Sequence, residues 1–277
     1  GKDVEAIRDK LKATSLEEIE KIEVIGSYVN FFLKDEFVQS ELARMQDDTW
    51  YMIHDTWRGK TVMVEYTDPN PFKQFHIGHL MTNAVGEAIA RLHEAAGAKV
   101  LRVNYQGDVG MHVAKAIYGL IQGKPLMEAY AFGSKAFEEH KDEITAINKK
   151  IYDRSDPQIN TLYDEGRTAS LEYFEGQYKK LDSKFDHYFF ESDMSPIGMK
   201  IVQDHLDVFK KSEGAIIFEG NHTRVFVNSM GLPTYEAKEL GLNQEKFRLY
   251  NPDLSIIVTA NEISEYFKVL MQAMERV

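Results

Sequence analysis

Cysteine is absent from the 277-residue chain, which excludes disulfides and cysteine-built zinc sites and fits a cytosolic enzyme. Long apolar runs are absent too: none approaches the roughly 18 residues that suggest a membrane span. The start, Gly1-Lys2-Asp3-Val4-Glu5, has no signal-peptide pattern. Nor is there a basic surplus, because 33 Lys and Arg face 44 Asp and Glu, a net charge of −11. That balance argues against a general nucleic-acid coat, and Lys149-Lys150 and Lys179-Lys180 read as solvated helix faces. What is present, 43% hydrophobic and 28% charged residues, is ordinary for a soluble globular protein, and the length allows one to two domains. The expectation is a cytoplasmic protein with no membrane partner.

The chain is organised around Asp68-Pro69-Asn70-Pro71-Phe72-Lys73-Gln74-Phe75-His76-Ile77-Gly78-His79-Leu80. Before it, Val62, Met63, Val64 and Tyr66 read as a short buried strand. After it, Ile77, Leu80, Ala84, Val85, Ala88, Ile89 and Leu92 recur at helical spacing. Gly97 ends that helix and Val100 to Tyr105 reads as a second strand, giving a βαβ unit. The two histidines fall at the helix start, where free backbone N–H groups and the positive dipole end suit phosphate. Gly78 lets a ligand approach the backbone, and Lys73 adds a mobile charge. A helix-capping role for each histidine is the plainer alternative.

Glu65 is the anomaly of the first strand, since a carboxylate in an apolar run is costly to bury unpaired. Asn104, Tyr105, Gly107 and Asp108 stand at the carboxyl end of the second strand, the edge where open α/β sheets bind ligands. Asp108 also fits an N-cap for the next helix. Elsewhere, Ser15 and Glu18 form a capping box before a short helix, Ile25 to Leu33 reads as a strand, and Asp35 to Trp57 reads as helix. Lys135 to Ile151 and Asn160 to Leu181 are helical, separated by a turn at Asp153-Arg154-Ser155-Asp156-Pro157. Tyr163, Phe174 and Tyr178 read as packing aromatics. Gly214 to Phe218 and Thr223 to Val227 form a hairpin, Ser255 to Ala260 a third buried strand, and Ile263 to Val277 a helix. Tyr235 and Glu239 share one face of a helix that follows Pro233.

The His-x-Gly-His turn is shared by class I aminoacyl-tRNA synthetases and related nucleotidyltransferases. The longer stretches Val64-Glu65-Tyr66-Thr67-Asp68-Pro69-Asn70, then Lys73, then Phe75 to Leu80, then Val103 to Gly110, resemble arginyl-tRNA synthetases. So do Ile151 to Pro157 and Gly231 to Lys238, and the resemblance covers nearly the whole chain. It implies an α/β, Rossmann-like class I synthetase nucleotide-binding fold with a largely helical insertion and a partial N-terminal α+β segment. The implied divisions are 1–60, the end of a domain that contacts the tRNA elbow; 61–120, the first catalytic half; 121–213, the helical insertion; and 214–277, the start of the second half. The alternative for the first division is a strand and helix packed on the catalytic sheet.

The implied reaction is attack of the arginine carboxylate on the α-phosphate of ATP, followed by transfer to tRNA(Arg). His76, His79 and Lys73 would be catalytic and, with Gly78, hold ATP. Glu65, Asn70, Tyr235 and Glu239 would hold L-arginine, with Asn104, Tyr105 and Asp108 as lower-ranked contacts. No protein metal ligands are expected, and Mg2+ would come with ATP. A monomer is expected. The sequence departs from the family at Glu239, where Asp is usual, and at Ile263, which aligns with a Gln of the arginine pocket. It also has no Lys-Met-Ser-Lys-Ser loop; some arginyl enzymes lack that loop's lysine, and the residue matching Lys73 substitutes. Members need tRNA before they activate arginine, so the expectation is a catalytic-domain fragment or shortened paralogue, weak or silent alone. The alternatives are a His-x-Gly-His nucleotidyltransferase with another substrate and a silent, synthetase-derived binding module.

Overall fold

The computed structural model describes residues 6, 7, 9–11, 17–46 and 55–277. The chain divides into two compact units, Gly1–Thr56 and Trp57–Val277. In the first, β1 (Ile19–Ile25) and β2 (Tyr28–Leu33) pair antiparallel, with Ile25 opposite Tyr28. Gly26, at φ 62, makes the turn. This corrects two expectations. Ile25 to Leu33 is not one strand, and the residues from Ile19 onward are not helical, because β-branched Ile19, Ile22, Val24 and Ile25 favour a strand. The capping box at Ser15 lies outside the described residues. The helix expected from Asp35 to Trp57 is α1 (Asp35–Arg44), while Asp55–Trp57 is a 3-10 turn and 47–54 lie outside the described residues.

The second unit is built on a parallel sheet with strand order β5-β4-β3-β9. Its strands are β3 (Thr61–Glu65), β4 (Lys99–Gln106), β5 (His187–Phe190) and β9 (Leu254–Ile257). Val62, Met63 and Val64 of β3 are fully buried, as a parallel strand covered on both faces requires. The helix α2 (Ile77–Ala95) links β3 to β4. Successive strands step from β3 to β4 to β5, then β9 returns to the other side of β3. The strand order therefore reverses between β3 and β9, the switch point at which such sheets open a crevice beyond their carboxyl ends. This is the expected α/β, Rossmann-like arrangement. The edge strand β9 is four residues long and half-buried, shorter and less covered than expected from Ser255 to Ala260.

Between β4 and β5 the chain forms α3 (Met111–Ile121), α4 (Leu126–Ala136), α5 (Lys141–Asp153) and α6 (Pro157–Lys180). Their apolar faces, Val113, Ile117, Ile144, Ile147 and Tyr163 among them, make a core of their own. The single helix expected over Lys135 to Ile151 is broken between Ala136 and Lys141. The turn before α6 forms as its sequence demands: the Asp156 carboxylate accepts from the backbone N–H groups of Gln158 and Ile159, and Pro157 opens the helix. β5 lies within the stretch read as helical, and it pairs with β4.

After β5 come α7 (Glu191–Asp204) and an antiparallel sheet of β6 (Lys210–Ser212), β7 (Ala215–Glu219) and β8 (Thr223–Val227). The last two are the expected hairpin. α8 (Tyr235–Tyr250) leads back to β9, and α9 (Ser264–Met274) follows a 3-10 turn at Asn261–Ile263. Among the described residues no helix is long and apolar enough to cross a membrane.

Asp108 ties these layers together. The helix after it, α3, starts at Gly110 with no side-chain cap, so Asp108 does not cap its own helix. Its fully buried carboxylate instead accepts from the Ser192 N–H at 2.8 Å, capping α7. Its other oxygen accepts from Ser192 Oγ at 2.7 Å, from Arg167 Nε of α6 at 2.8 Å and from the Tyr163 hydroxyl at 3.3 Å. Replacing Arg167 with Leu removes the cation facing this buried anion. Urea unfolding of Arg167→Leu is expected to show a loss of roughly 2–3 kcal/mol at unchanged denaturant slope.

Candidate active site

The turn between β3 and α2 carries three non-glycine residues in the left-handed region: Thr67 at φ 80, Asp68 at φ 47 and Phe72 at φ 67. Such residues are held only where the surroundings over-determine them. Here Thr67 Oγ1 accepts from Asn83 Nδ2 at 2.9 Å, Asp68 Oδ1 accepts from the Tyr105 N–H at 2.8 Å, and the Phe72 N–H donates to Ser170 Oγ at 2.9 Å. Bonds to α2, β4 and α6 thus pin the turn that presents Asn70 and His76.

His76 is the N-cap of α2. Its Nδ1 accepts from the Gly78 N–H at 3.1 Å, and its own N–H donates to His79 Nδ1 at 3.3 Å. The two rings stack with centroids 3.7 Å apart. A neutral imidazole that accepts at Nδ1 carries its proton on Nε2, so both rings are set as Nε2–H donors. Burial, then His76 and Lys73, push the His79 pKa down to about 4. It therefore donates as a neutral group at pH 7. Capping and ligand donation are compatible uses of the same residues, one at each ring nitrogen.

Next to this turn lies a cavity of about 680 Å3, beyond the carboxyl ends of β3, β4 and β9. Of the predicted site residues, Glu65, Asn70, His76, Gly78, His79, Tyr105 and Tyr235 line it. Ile263 lines it too, and its side chain offers no hydrogen bond. Lys73 stands outside the lining, with Nζ 4.5 Å from the Tyr130 ring centroid. Glu239 is buried behind Tyr235 and interacts with it. Asn104 alternates with Tyr105 along β4 and donates from Nδ2 to the Tyr178 hydroxyl at 3.2 Å. Asp108 has both oxygens engaged by α6 and α7.

The partner that Glu65 requires is Lys246 of α8, fully buried and 2.5 Å from Glu65 Oε2. The ammonium lies off the hydrogen-bonding direction, so this is an ion pair by distance that leaves both Glu65 Oε2 and Lys246 Nζ without an aligned hydrogen bond. Glu239 Oε2 and the hydroxyls of Tyr105 and Tyr266 are likewise buried without a hydrogen-bond partner. Burial and then the charge of Glu65 raise the Glu239 pKa to about 8, against the pull of Lys246. The same two causes raise Asp68 well above the usual carboxylate range. Above them, Tyr235 is flanked by Tyr105 at 6.5 Å and Tyr266 at 5.2 Å between ring centroids. Surplus carboxylate under an aromatic wall suits a planar cation.

Sequence reasoning missed Lys246 as the partner of Glu65, and it missed a second buried pair, Glu191 of α7 with Lys238 of α8, whose two residues line the cavity. No local spacing signals these partners, because long chain segments separate them. Burial pulls the Lys238 pKa down, but Glu191 and Tyr152 together outweigh it and keep the ammonium above its ordinary value. Also missed was His112, whose Nε2 lies 2.7 Å from the Gly107 carbonyl and whose pKa burial pushes down to about 3. Gly107 itself has a steric reason: a Cβ there would stand 2.2 Å from Asn70 Oδ1. Among the described residues no cluster of three or more acidic, His or Cys side chains is arranged to hold a metal.

The raised Glu239 carboxyl gives a pH signature. Below about pH 8 it is protonated in the free protein, and a bound cation favours its ionised form. Methylguanidinium affinity is therefore expected to rise by up to about tenfold per pH unit between roughly pH 6 and 8 and then level off. Calorimetry in buffers of different ionisation enthalpy checks this by detecting release of a proton.

The family model described as tRNA synthetases class I (R), catalytic domain, matches residues 42–277. The arginine--tRNA ligase of Clostridioides difficile is 28% identical in a 279-residue alignment covering 91% of this chain and 49% of that protein. That of Lactobacillus delbrueckii is 29% identical, covering 91% and 48%. The chain spans about half the length of the curated relatives it matches. Among solved structures, arginyl-tRNA synthetase from Plasmodium falciparum matches with TM-score 0.74 at 16% identity, over 98% of this chain and 52% of that one. The Thermus thermophilus enzyme matches with TM-score 0.61 at 23% identity, over 87% and 44%. At these identities the structural matches speak for the fold.

Proposed function

The chain belongs to the class I (R) tRNA synthetase catalytic-domain family, and from that membership we propose that its cavity activates L-arginine with ATP, for transfer to tRNA(Arg) in the cytoplasm. One observation carries the reading: a buried acidic floor with an aromatic wall shares one cavity with the His-x-Gly-His helix start. In this proposal Glu65, Tyr235 and Glu239 receive the guanidinium, and Asn70 receives the backbone end of the amino acid. A carboxylate oxygen of arginine attacks the α-phosphorus of ATP. The bond from that phosphorus to the bridging oxygen breaks, and pyrophosphate leaves with its electron pair.

The chain supplies positioning and charge rather than a nucleophile. His76 and His79 donate from Nε2 to the α-phosphate oxygens as their charge grows, with Lys73 adding positive potential. Gly78 leaves room for the nucleotide at the helix start. Magnesium would come as a companion of the ATP phosphates, since the described residues include no cluster of three or more acidic, His or Cys side chains to cage it, and its chemistry would be charge neutralisation. The divisions 61–120, 121–213 and 214–277 would be the first catalytic half, the insertion and the start of the second half, with 1–60 belonging to a tRNA-contacting domain.

Titration calorimetry tests the reading. L-arginine is expected to bind in the micromolar to millimolar range, about −8 to −4 kcal/mol, and neutral citrulline at least about tenfold more weakly. His79→Ala is expected to lose ATP binding while arginine binding persists. Equal binding of citrulline, or ATP binding untouched by the substitution, counts against it.

A further inference from the structure

We propose that the buried Glu191–Lys238 pair reads the zwitterionic end of the amino acid, Glu191 taking the α-ammonium and Lys238 the α-carboxylate. This inference rests on the arginine reading above and adds two residues to which the sequence reading gave no role.

The pair is built into the fold. Glu191 opens α7 and Lys238 lies in the first turn of α8, and these helices cross with their backbones in contact. A Cβ on Gly198 would stand 1.8 Å from the Ala237 carbonyl oxygen, and one on Gly241 would stand 2.5 Å from that of Met194. The crossing leaves the two charged side chains only 8% and 7% exposed, and both border the cavity. Lys238 Nζ donates to Glu191 Oε2.

What surrounds each charge sets its role. Glu191 Oε1 lies 3.2 Å from the place where a Cβ of Gly107 would be, and Asn70 Oδ1 lies 2.2 Å from that same place. Two oxygen acceptors thus converge over bare backbone, an arrangement that suits an ammonium group. Lys238 Nζ lies 3.9 Å from the corresponding position on Gly110, the N-cap of α3, which provides no side-chain cap. Gly110, Met111 and His112 border the cavity together with Lys238, so the start of α3 and a buried ammonium share one region, which suits a carboxylate. In the free protein the two charges hold each other, because either alone would be costly to bury. An α-amino acid carries the complementary pair and can exchange one internal ion pair for two intermolecular ones.

The test is titration calorimetry of the 277-residue chain with L-arginine, with agmatine, which lacks the carboxylate, and with 5-guanidinopentanoic acid, which lacks the ammonium. The double variant Glu191→Gln, Lys238→Met removes both charges and strands neither. The unmodified chain is expected to prefer arginine over each analogue by at least about tenfold. In the double variant that preference is expected to vanish while agmatine binds within about threefold of its original affinity. A purely structural pair would weaken all three ligands together, and that outcome overturns the proposal. So does a double variant that keeps its preference, or an unmodified chain that binds arginine and agmatine alike. In those cases arginine still binds and the reading beneath survives. Failure of all three ligands to bind the folded, unmodified chain overturns that reading and the proposal with it.

Discussion

The contact between Lys246 and Glu65 sets the electrostatics of the whole cavity. Glu65 and Glu239 are buried near it and Asp68 is half-buried beside them, with Lys246 as the ammonium placed among the three. One cation cannot satisfy three carboxylates in a low-dielectric interior, so protons remain on some of them. A core built for stability alone would replace such a cluster with apolar side chains. In the proposed reading, a cationic ligand would complete the charge of the site. The unpartnered hydroxyls of Tyr105 and Tyr266 extend the same incomplete set.

A second constraint acts at the other end of the cavity. The strained turn of Thr67, Asp68 and Phe72 holds its shape through bonds to three different elements, and it fixes where His76 meets α2. Each imidazole accepts at Nδ1, which orients Nε2–H outward without a charge on His79. Pre-set donors of this kind need no reorganisation when charge grows on a reacting oxygen. Asp108 supports the arrangement from behind by fastening β4 to α6 and α7, and α7 in turn carries Glu191.

The sheet, the first helix and the histidine turn were legible because their signals are local: an apolar strand, a helical stripe and a capped start within one short segment. Glu65 was legible as an anomaly, but its partner was not, since Lys246 sits on a helix with no apolar stripe to mark its buried face. The hairpin at Gly26 was misread because apolar alternation continues across the turn, and one positive-φ glycine outweighs it. β5 was missed because four residues are too few for alternation to register, and its place comes from pairing with β4. Asp108 suggested a cap on the next helix. It caps α7 instead, a contact that no spacing in the sequence announces.

The central claim is that an amino-acid pocket and a nucleotide pocket share one cavity at the switch point of the sheet. The most direct measurement is equilibrium binding of arginyl-sulfamoyl-adenosine, a stable mimic of arginine joined to the nucleotide, set beside arginine and AMP separately. Occupying both pockets through one molecule is expected to bind at least about a hundredfold tighter than either part. Affinity no greater than that of arginine or AMP alone would contradict the account, because the two pockets would then not be joined.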